Sequence, residues 1–387
     1  MAKFESLVGG FSRGILLLSS QSRASLSKKW GLTEKQTQFV LAHFFKSKGI
    51  DAVLDIEVFV HLVRGWERAA FLEAKETPML SSECPGWVCY LEKVLGEKYI
   101  KYASTVKPPQ LVAATVVRKV FANMDPPVDP LKMFVGLIAP CFDKKLEAAR
   151  EEVRRERPVI DLVLASNEID QFLSKSIPDF ALYYKASVHG RHFVVDFCRI
   201  LVNNRLTSFS SSLPSPDHFA LPIDQFTLLR GVQSHGDSNG YLTHIISHLP
   251  GVRSVKHRAI KNNNFTEVRV ELASGEALLF AYVYGFKNIQ NLIRRIKMKK
   301  CKYRYVEVMA CPLGCLNGGG QLPLKKQEVL LLSQTSLADK LESSFEKELT
   351  KLRTLFSLED SGGIDLEQLK LYQIEPVQEK DPLRIKW

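Results

Sequence analysis

Two periods of apolar residues run through the chain. Short, almost wholly apolar runs at 14–20 (GILLLSS), 52–58, 78–82 (PMLSS), 135–139 (VGLIA) and 161–165 (DLVLA) read as buried strands. Between them, apolar residues recur at helical spacing from about Gln21 and over 33–48, 61–75, 86–94, 110–121 and 168–175, while 144–157 reads as a charged helix. Thr33 with Gln36 three positions on is a capping pair that fixes where one of these helices starts. Strands apolar along their whole length, rather than at alternate positions, belong in a parallel sheet covered on both faces. Their alternation with helices therefore predicts an α/β lobe over 1–176.

From 177 to 222 the pattern deteriorates. HGRHFVVDFCRILVNNR alternates weakly and LTSFSSSLPSPDHF is rich in Ser and Pro, so this stretch is expected to be an insertion or linker. A second α/β lobe is expected over 223–325. It holds a strand at SVKHRAI, a hairpin turned at Ser274 and Gly275, the amphipathic helix FKNIQNLIRRIKMKK and the strand YRYVEVMA. Residues 326–387 read as a mostly helical segment followed by a polar, extended tail. No repeat of the solenoid kind recurs.

Composition narrows the class only a little. In 387 residues, 45% hydrophobic and 25% charged, there is room for two or three cores of an ordinary globular protein. No apolar run is long enough to span a bilayer, and the first residues lack a small-residue cleavage site, which argues against a leader. Seven scattered cysteines, an odd number, are too few for a disulfide framework and fit reduced thiols in a reducing compartment. A net charge of +11 gives a weak attraction to polyanions, much of it from the block RRIKMKKCKYR at 294–304. Cations suit the C-terminal end of a helix, and no nucleic-acid-binding pattern accompanies them, so the block reads as a solvated helix end. The GGGQ run lacks the Lys and Ser or Thr that a phosphate loop needs, which argues against nucleotide binding.

The chemistry concentrates in 306–321, VEVMACPLGCLNGGGQ. Cys311 and Cys315, four positions apart behind a β-type run, can aim two thiolates at one centre. Gly318, Gly319 and Gly320 carry no Cβ to hold the backbone away from a bulky group. Two thiolates leave a tetrahedral iron or zinc site incomplete, so further ligands must come from elsewhere. Cys84 in SSECPGWV and Cys141 in IAPCFDKKLEA are the candidates, each beside a proline and just after an apolar run. In such sheets these positions lie beyond the carboxyl ends of strands, where ligands bind. The four are expected to hold one iron–sulfur cluster. Their spacings of 57, 170 and 4 residues match no contiguous ferredoxin run and require a fold to unite them. On spacing alone, ordinary buried thiols are the competing reading.

Other residues weigh less. Cys89, Cys198 and Cys301 read as unligated thiols, with Cys89 about a helical turn beyond Cys84. His189 and His192 have an i, i+3 spacing but no partner nearby. Glu307, between Val306 and Val308, reads as a carboxylate paired with a cation, near enough along the chain to position the cluster loop.

PMLSSECPGWVCYLEK, TVKPPQ, VGLIAPCFDKKLEA and VEVMACPLGCLNGGGQ resemble, in order, the signature regions of iron-only hydrogenases. SQSRASL, YGFKNIQNL and the terminal IKW resemble more closely the eukaryotic hydrogenase-like branch, which holds iron–sulfur assembly factors and prelamin A recognition factors. The resemblance covers most of 15–175 and 223–325 and the last few residues. It implies a two-lobed iron-only-hydrogenase-like α/β domain, each lobe a mostly parallel sheet flanked by helices. One [4Fe–4S] cluster would lie between the lobes on Cys84, Cys141, Cys311 and Cys315, which match the family's ligand positions. In hydrogenases the last of these cysteines also bridges to a di-iron unit. The pocket for that unit departs here: Glu83 stands where hydrogenases have a proton-relaying cysteine and Ala139 where they have Met. Lys107 is kept, but Pro108, Pro109 and Gln110 follow it in place of Ser-Pro-Gln.

A site without its proton relay turns over hydrogen poorly. The resemblance therefore implies a non-enzymatic iron–sulfur protein of the cytoplasm, with the nucleus as a second compartment, linking an early scaffold complex to a late targeting complex. A hydrogenase-like oxidoreductase and a binder of prelamin A tails are the alternatives. Ile385, Lys386 and Trp387 resemble the tag that the targeting complex reads, the ring filling a pocket while donors capture the terminal carboxylate. A Trp folded back on its own domain is the competing reading. Neither membrane nor nucleic acid is expected as a partner. The family's N-terminal Cys-x-x-Cys-x-x-Cys segment has no counterpart before Cys84, so its second cluster is not expected, and 181–220 matches nothing in the family.

Overall fold

The computed structural model describes residues 2–122, 127–150, 158–189, 240–260, 262, 264–323, 372 and 374. Among these residues the strands are β1 (Arg13–Leu18), β2 (Ala52–Asp55), β3 (Met79–Ser81), β4 (Met133–Ala139), β5 (Leu162–Ala165), β6 (Val252–Ala259), β7 (Phe265–Leu272), β8 (Ala277–Tyr284) and β9 (Tyr305–Met309). One sheet, in the order β2-β1-β4-β5, is wholly parallel. Its strands are apolar at successive positions because both faces are covered. Ile15, Leu17, Val135 and Leu137 face the core shared with the second sheet. Leu16, Leu18, Phe134 and Ile138 face another core under the helices Ser20–Trp30, Glu34–Lys46 and Ser166–Ser176. Each such fully buried leucine contributes about 2 kcal/mol relative to exposure.

The second sheet runs β3-β9-β8-β7-β6. It is mixed rather than mostly parallel. β3, β9 and β8 are parallel, whereas β7 and β6 are antiparallel to their neighbours. The expected turn at Ser274 and Gly275 is the reason: Gly275 has φ +86°, the chain doubles back at once, and a tight hairpin can only pair antiparallel. The helices Glu57–Glu73, Pro109–Ala122 and Tyr241–Ser247 supply side chains to the core that joins the two sheets.

β3 lies early in the chain yet pairs with β9, Met79 opposite Tyr305 and Ser81 opposite Glu307. The lobe expected over 1–176 therefore gives one strand, and Cys84 behind it, to the second sheet. Sequence order hides this because the partner strand lies far along the chain.

Smaller differences have local causes. The strand expected over 52–58 stops at Asp55, whose Oδ1 accepts the Glu57 N–H at 2.9 Å and opens the next helix. Thr33 and Gln36 form the expected capping box. The charged helix expected over 144–157 is Asp143–Ala148, and 151–157 lie outside the described residues. Helix Phe180–His189 falls where an insertion was expected; Asp179 Oδ1 accepts the Leu182 N–H at 2.9 Å and Phe180 stacks on Trp30 at 4.2 Å. Helices Ala2–Val8 and Tyr241–Ser247 carry no pattern that singles them out. No described helix is long and apolar enough to cross a membrane.

Candidate metal centre

Three of the nominated cysteines stand just past strand ends: Cys84 after β3, Cys141 after β4 and Cys311 after β9, while Cys315 opens the turn Cys315–Asn317. Cys84, Cys141 and Cys315 are buried and Cys311 half-buried. They stand close enough for ionisation of one to raise the pKa of another: Cys84 and Cys311 act on Cys141 and on Cys315, and Cys84 acts on Cys311. Strand ends from both sheets thus converge on one place.

Glycines make that convergence possible. A Cβ on Gly86 would stand 2.6 Å from Asp143 Oδ2 and 3.3 Å from Ala310 Cβ. One on Gly320 would stand 2.8 Å from Ala165 Cβ and 3.2 Å from the Cys141 nitrogen, and one on Gly318 would overlap the Pro140 carbonyl oxygen. The Gly320 N–H donates to that same Pro140 oxygen at 3.0 Å. The triplet therefore presses the Cys311–Cys315 loop against the Pro140–Cys141 turn of the other sheet. Gly318→Ala is expected to cost about 2 kcal/mol in urea unfolding, as overpacking does. Gly319→Ala, whose Cβ would meet nothing within 4 Å, is expected to leave the midpoint unchanged.

Backbone N–H groups already point at three of the sulfurs. Ala310 and Trp87 donate to Cys84, Asp143 to Cys141 at 3.4 Å, and Gly319 to Cys311. Ser82 Oγ accepts the Cys84 N–H at 3.0 Å and donates to the Val308 carbonyl, tying the two loops together. Burial is the largest influence on all four thiols. It pushes Cys141 up to about 12 and Cys311 up to about 11, with neighbouring acidic groups adding to it, and it raises Cys84 and Cys315. The thiols hold their protons at neutral pH, so a strongly cationic centre must displace them.

A polar wall adjoins Cys315. Its thiol donates to Glu83 Oε1 at 3.6 Å. Lys144 Nζ donates to the Glu83 carbonyl oxygen at 2.7 Å and lies 3.7 Å from Glu147 Oε2, which accepts from Gln110 Nε2 at 2.6 Å. Burial raises the pKa of Glu83 and of Glu147. Burial works against the Lys144 ammonium, but Glu147 and Glu83 outweigh it and its pKa ends raised. Sequence reasoning missed Lys144 and Glu147. The available signal was their spacing, three and six residues past Cys141 and so on one face of the short helix Asp143–Ala148. Glu307, expected to pair with a cation, takes hydrogen bonds from the Leu242 N–H and the Tyr284 hydroxyl, each at 2.8 Å. Burial first of all raises it to about 8, and the Arg64 guanidinium opposes that only weakly.

Among the described residues, no three His, Cys, Asp or Glu side chains gather tightly enough for a single ion. Four cysteine sulfurs, three of them receiving backbone N–H groups, are a donor set of the kind that holds an iron–sulfur cluster. Cys89 is half-exposed on the helix Pro85–Tyr90, and Cys301 lies beyond the helix Phe286–Lys297, at the other end of its sheet. His189 closes the helix Phe180–His189, and Cys198, His192, Ile385, Lys386 and Trp387 lie outside the described residues.

Comparison with known proteins adds context to this geometry. Residues 13–319 match the family described as iron only hydrogenase large subunit, C-terminal domain. Cytosolic iron-sulfur assembly component 3 of Mus musculus is 35% identical over 329 residues, 80% of this chain and 62% of that protein. The cytosolic Fe-S cluster assembly factor narfl of Xenopus tropicalis is 32% identical over 397 residues, 96% of this chain and 76% of that protein. A variant of the [FeFe]-hydrogenase HydA1 from Chlamydomonas reinhardtii shares the fold with a TM-score of 0.69 at 19% identity, covering 97% of this chain and 99% of that one.

Proposed function

The chain belongs to the iron-only hydrogenase-like family, and on that premise we propose that it is a non-enzymatic iron–sulfur protein of cytosolic cluster assembly. Cys84, Cys141, Cys311 and Cys315 would hold one [4Fe–4S] cluster, which when bound supplies one-electron chemistry and iron and sulfide in protein-held form. The N–H groups of Ala310, Trp87, Asp143 and Gly319 stabilise thiolate charge in a site that burial otherwise makes hostile to it. The observation that carries the non-enzymatic reading is Glu83. It is a buried carboxyl against Cys315, at the position where the resemblance to hydrogenases implies a proton-relaying cysteine.

The relatives named for assembly support a place in that cytosolic machinery; within it, the chain would stand between an early scaffold complex and a late targeting complex. Ile385, Lys386 and Trp387 are the proposed contact with the latter. Deleting Trp387 is expected to leave the iron content of the reconstituted protein unchanged and to weaken binding to the targeting complex at least tenfold, as losing a buried aromatic anchor does. Titration calorimetry with the purified complex reads this, and an unchanged affinity rejects the tail's role. The same iron-loaded preparation is expected to evolve hydrogen only at background.

A further inference from the structure

Between 277 and 306 the chain carries eight Lys and Arg and no Asp or Glu. The helix dipole accounts for only part of this. It favours Arg294, Arg295 and Lys297 in the last turn of the helix Phe286–Lys297, yet Lys287 sits in the first turn, where a cation is disfavoured. Lys299, Lys300 and Lys302 lie beyond the helix end and are exposed. Arg295 is used structurally, donating to the Tyr303 hydroxyl at 2.8 Å and lying 5.1 Å over the Phe265 ring. Lys287, Arg294, Lys297, Lys299, Lys300 and Lys302 have no ion-pair partner among the described residues.

Exposed apolar side chains stand at both ends of this basic ridge, Phe286 at 44% and Met298 at 50%. Phe286 meets Tyr90 edge to face at 5.4 Å, and Val94, four residues past Tyr90, is 60% exposed. This apolar end borders the cysteine site. A Cβ on Gly285 would lie 3.4 Å from Pro312, the neighbour of Cys311, and Tyr90 ends the short helix that Cys84 opens.

We propose that this face docks an acidic protein domain, Phe286 and its apolar neighbours packing into the partner while the ridge draws it in. The helix is about 18 Å long, so one protein footprint of roughly 800 Å² covers both the apolar end and the cations. Phe, Met and Arg are enriched at protein interfaces, and surplus lysines speed encounter with an acidic surface. Nucleic acid fits less well. Phe286 and Tyr90 cross at 72° instead of offering parallel platforms for successive bases. The inference deepens the assembly reading by giving the partner's charge, but it stands on different residues from the cluster site.

The test uses the full chain, with and without reconstituted iron, and fluorescence anisotropy. The probes are a short Asp/Glu-rich peptide with a central Leu-Phe pair, the same peptide with Gly-Gly there, and a dT oligonucleotide of equal charge. The Leu-Phe peptide should bind tightest. Lys287→Glu/Arg294→Glu/Lys297→Glu should weaken it about tenfold, and Phe286→Ala should reduce it to the level of the Gly-Gly peptide. Lys287→Gln/Arg294→Gln/Lys297→Gln repeats the measurement should glutamates at the helix end destabilise it. Lys28→Glu/Lys29→Glu, two exposed cations at the end of the helix Ser20–Trp30, should bind like wild type. Tighter binding of the oligonucleotide, or an unchanged affinity in the triple variants, overturns the proposal. Peptide binding by a chain that takes up no iron would remove the cluster reading and leave the docking face standing. Iron uptake with unaffected triple variants would do the reverse.

Discussion

Cys311→Ala is expected to lower the iron retained after anaerobic reconstitution from about four atoms per chain, the content of a four-thiolate cubane, to below one. Cys311 is the informative choice because it is half-buried, so trimming it removes little packing and leaves the apo fold intact. Its sulfur already receives the Gly319 N–H; a thiolate there would raise the pKa of Cys141 and Cys315, and one at Cys84 would raise that of Cys311. Cys89→Ala and Cys301→Ala serve as controls. Cys89 lies on the helix Pro85–Tyr90 and Cys301 beyond the helix Phe286–Lys297, neither at the strand ends that carry the site, and both should keep the full iron count. Iron and sulfide analysis beside EPR reads the result.

Lys144→Met is expected to destabilise the protein by about 3 kcal/mol in urea unfolding, the range for breaking a buried ion pair from one side. The ammonium is 5% exposed and serves the Glu83 carbonyl and the Glu147 carboxylate together. Removing it leaves the buried Glu147 with the Gln110 hydrogen bond and only the more distant Arg150 charge to oppose its own. The double variant Lys144→Met/Glu147→Gln should recover much of the loss, because Gln keeps an acceptor for Gln110 and carries no charge. A double variant as unstable as the single one would mean that Lys144 acts through packing.

Periodicity made the strands and most helices legible, because apolar runs such as GILLL and VGLIA admit no exposed face. What it could not show was which sheet each strand joins. β3 is three residues long and carries no mark of its partner, so Cys84 is paired across the molecule with the strand of Cys311 rather than with that of Cys141. The cysteines themselves were legible as residue types beside turns. Their sharing one centre was expected from the residues and the resemblance, but the backbone contacts that bring them together, such as Gly318 against Pro140, were not legible. The glycine triplet promises room for a bulky group; the structure adds that Gly318 and Gly320 also let the Cys311–Cys315 loop press on the Pro140–Cys141 turn. Lys144 and Glu147 were hidden because a charged residue on a short helix reads as solvated until the tertiary fold buries it.

The claim that four cysteines from two sheets share one inorganic centre is tested most directly by diffraction at the iron absorption edge. The crystals should be of the anaerobically reconstituted protein. One anomalous peak resolving into a cubane bonded to Cys84, Cys141, Cys311 and Cys315 is the predicted result. Iron bound elsewhere, or a peak that only the zinc edge brings out, would contradict it.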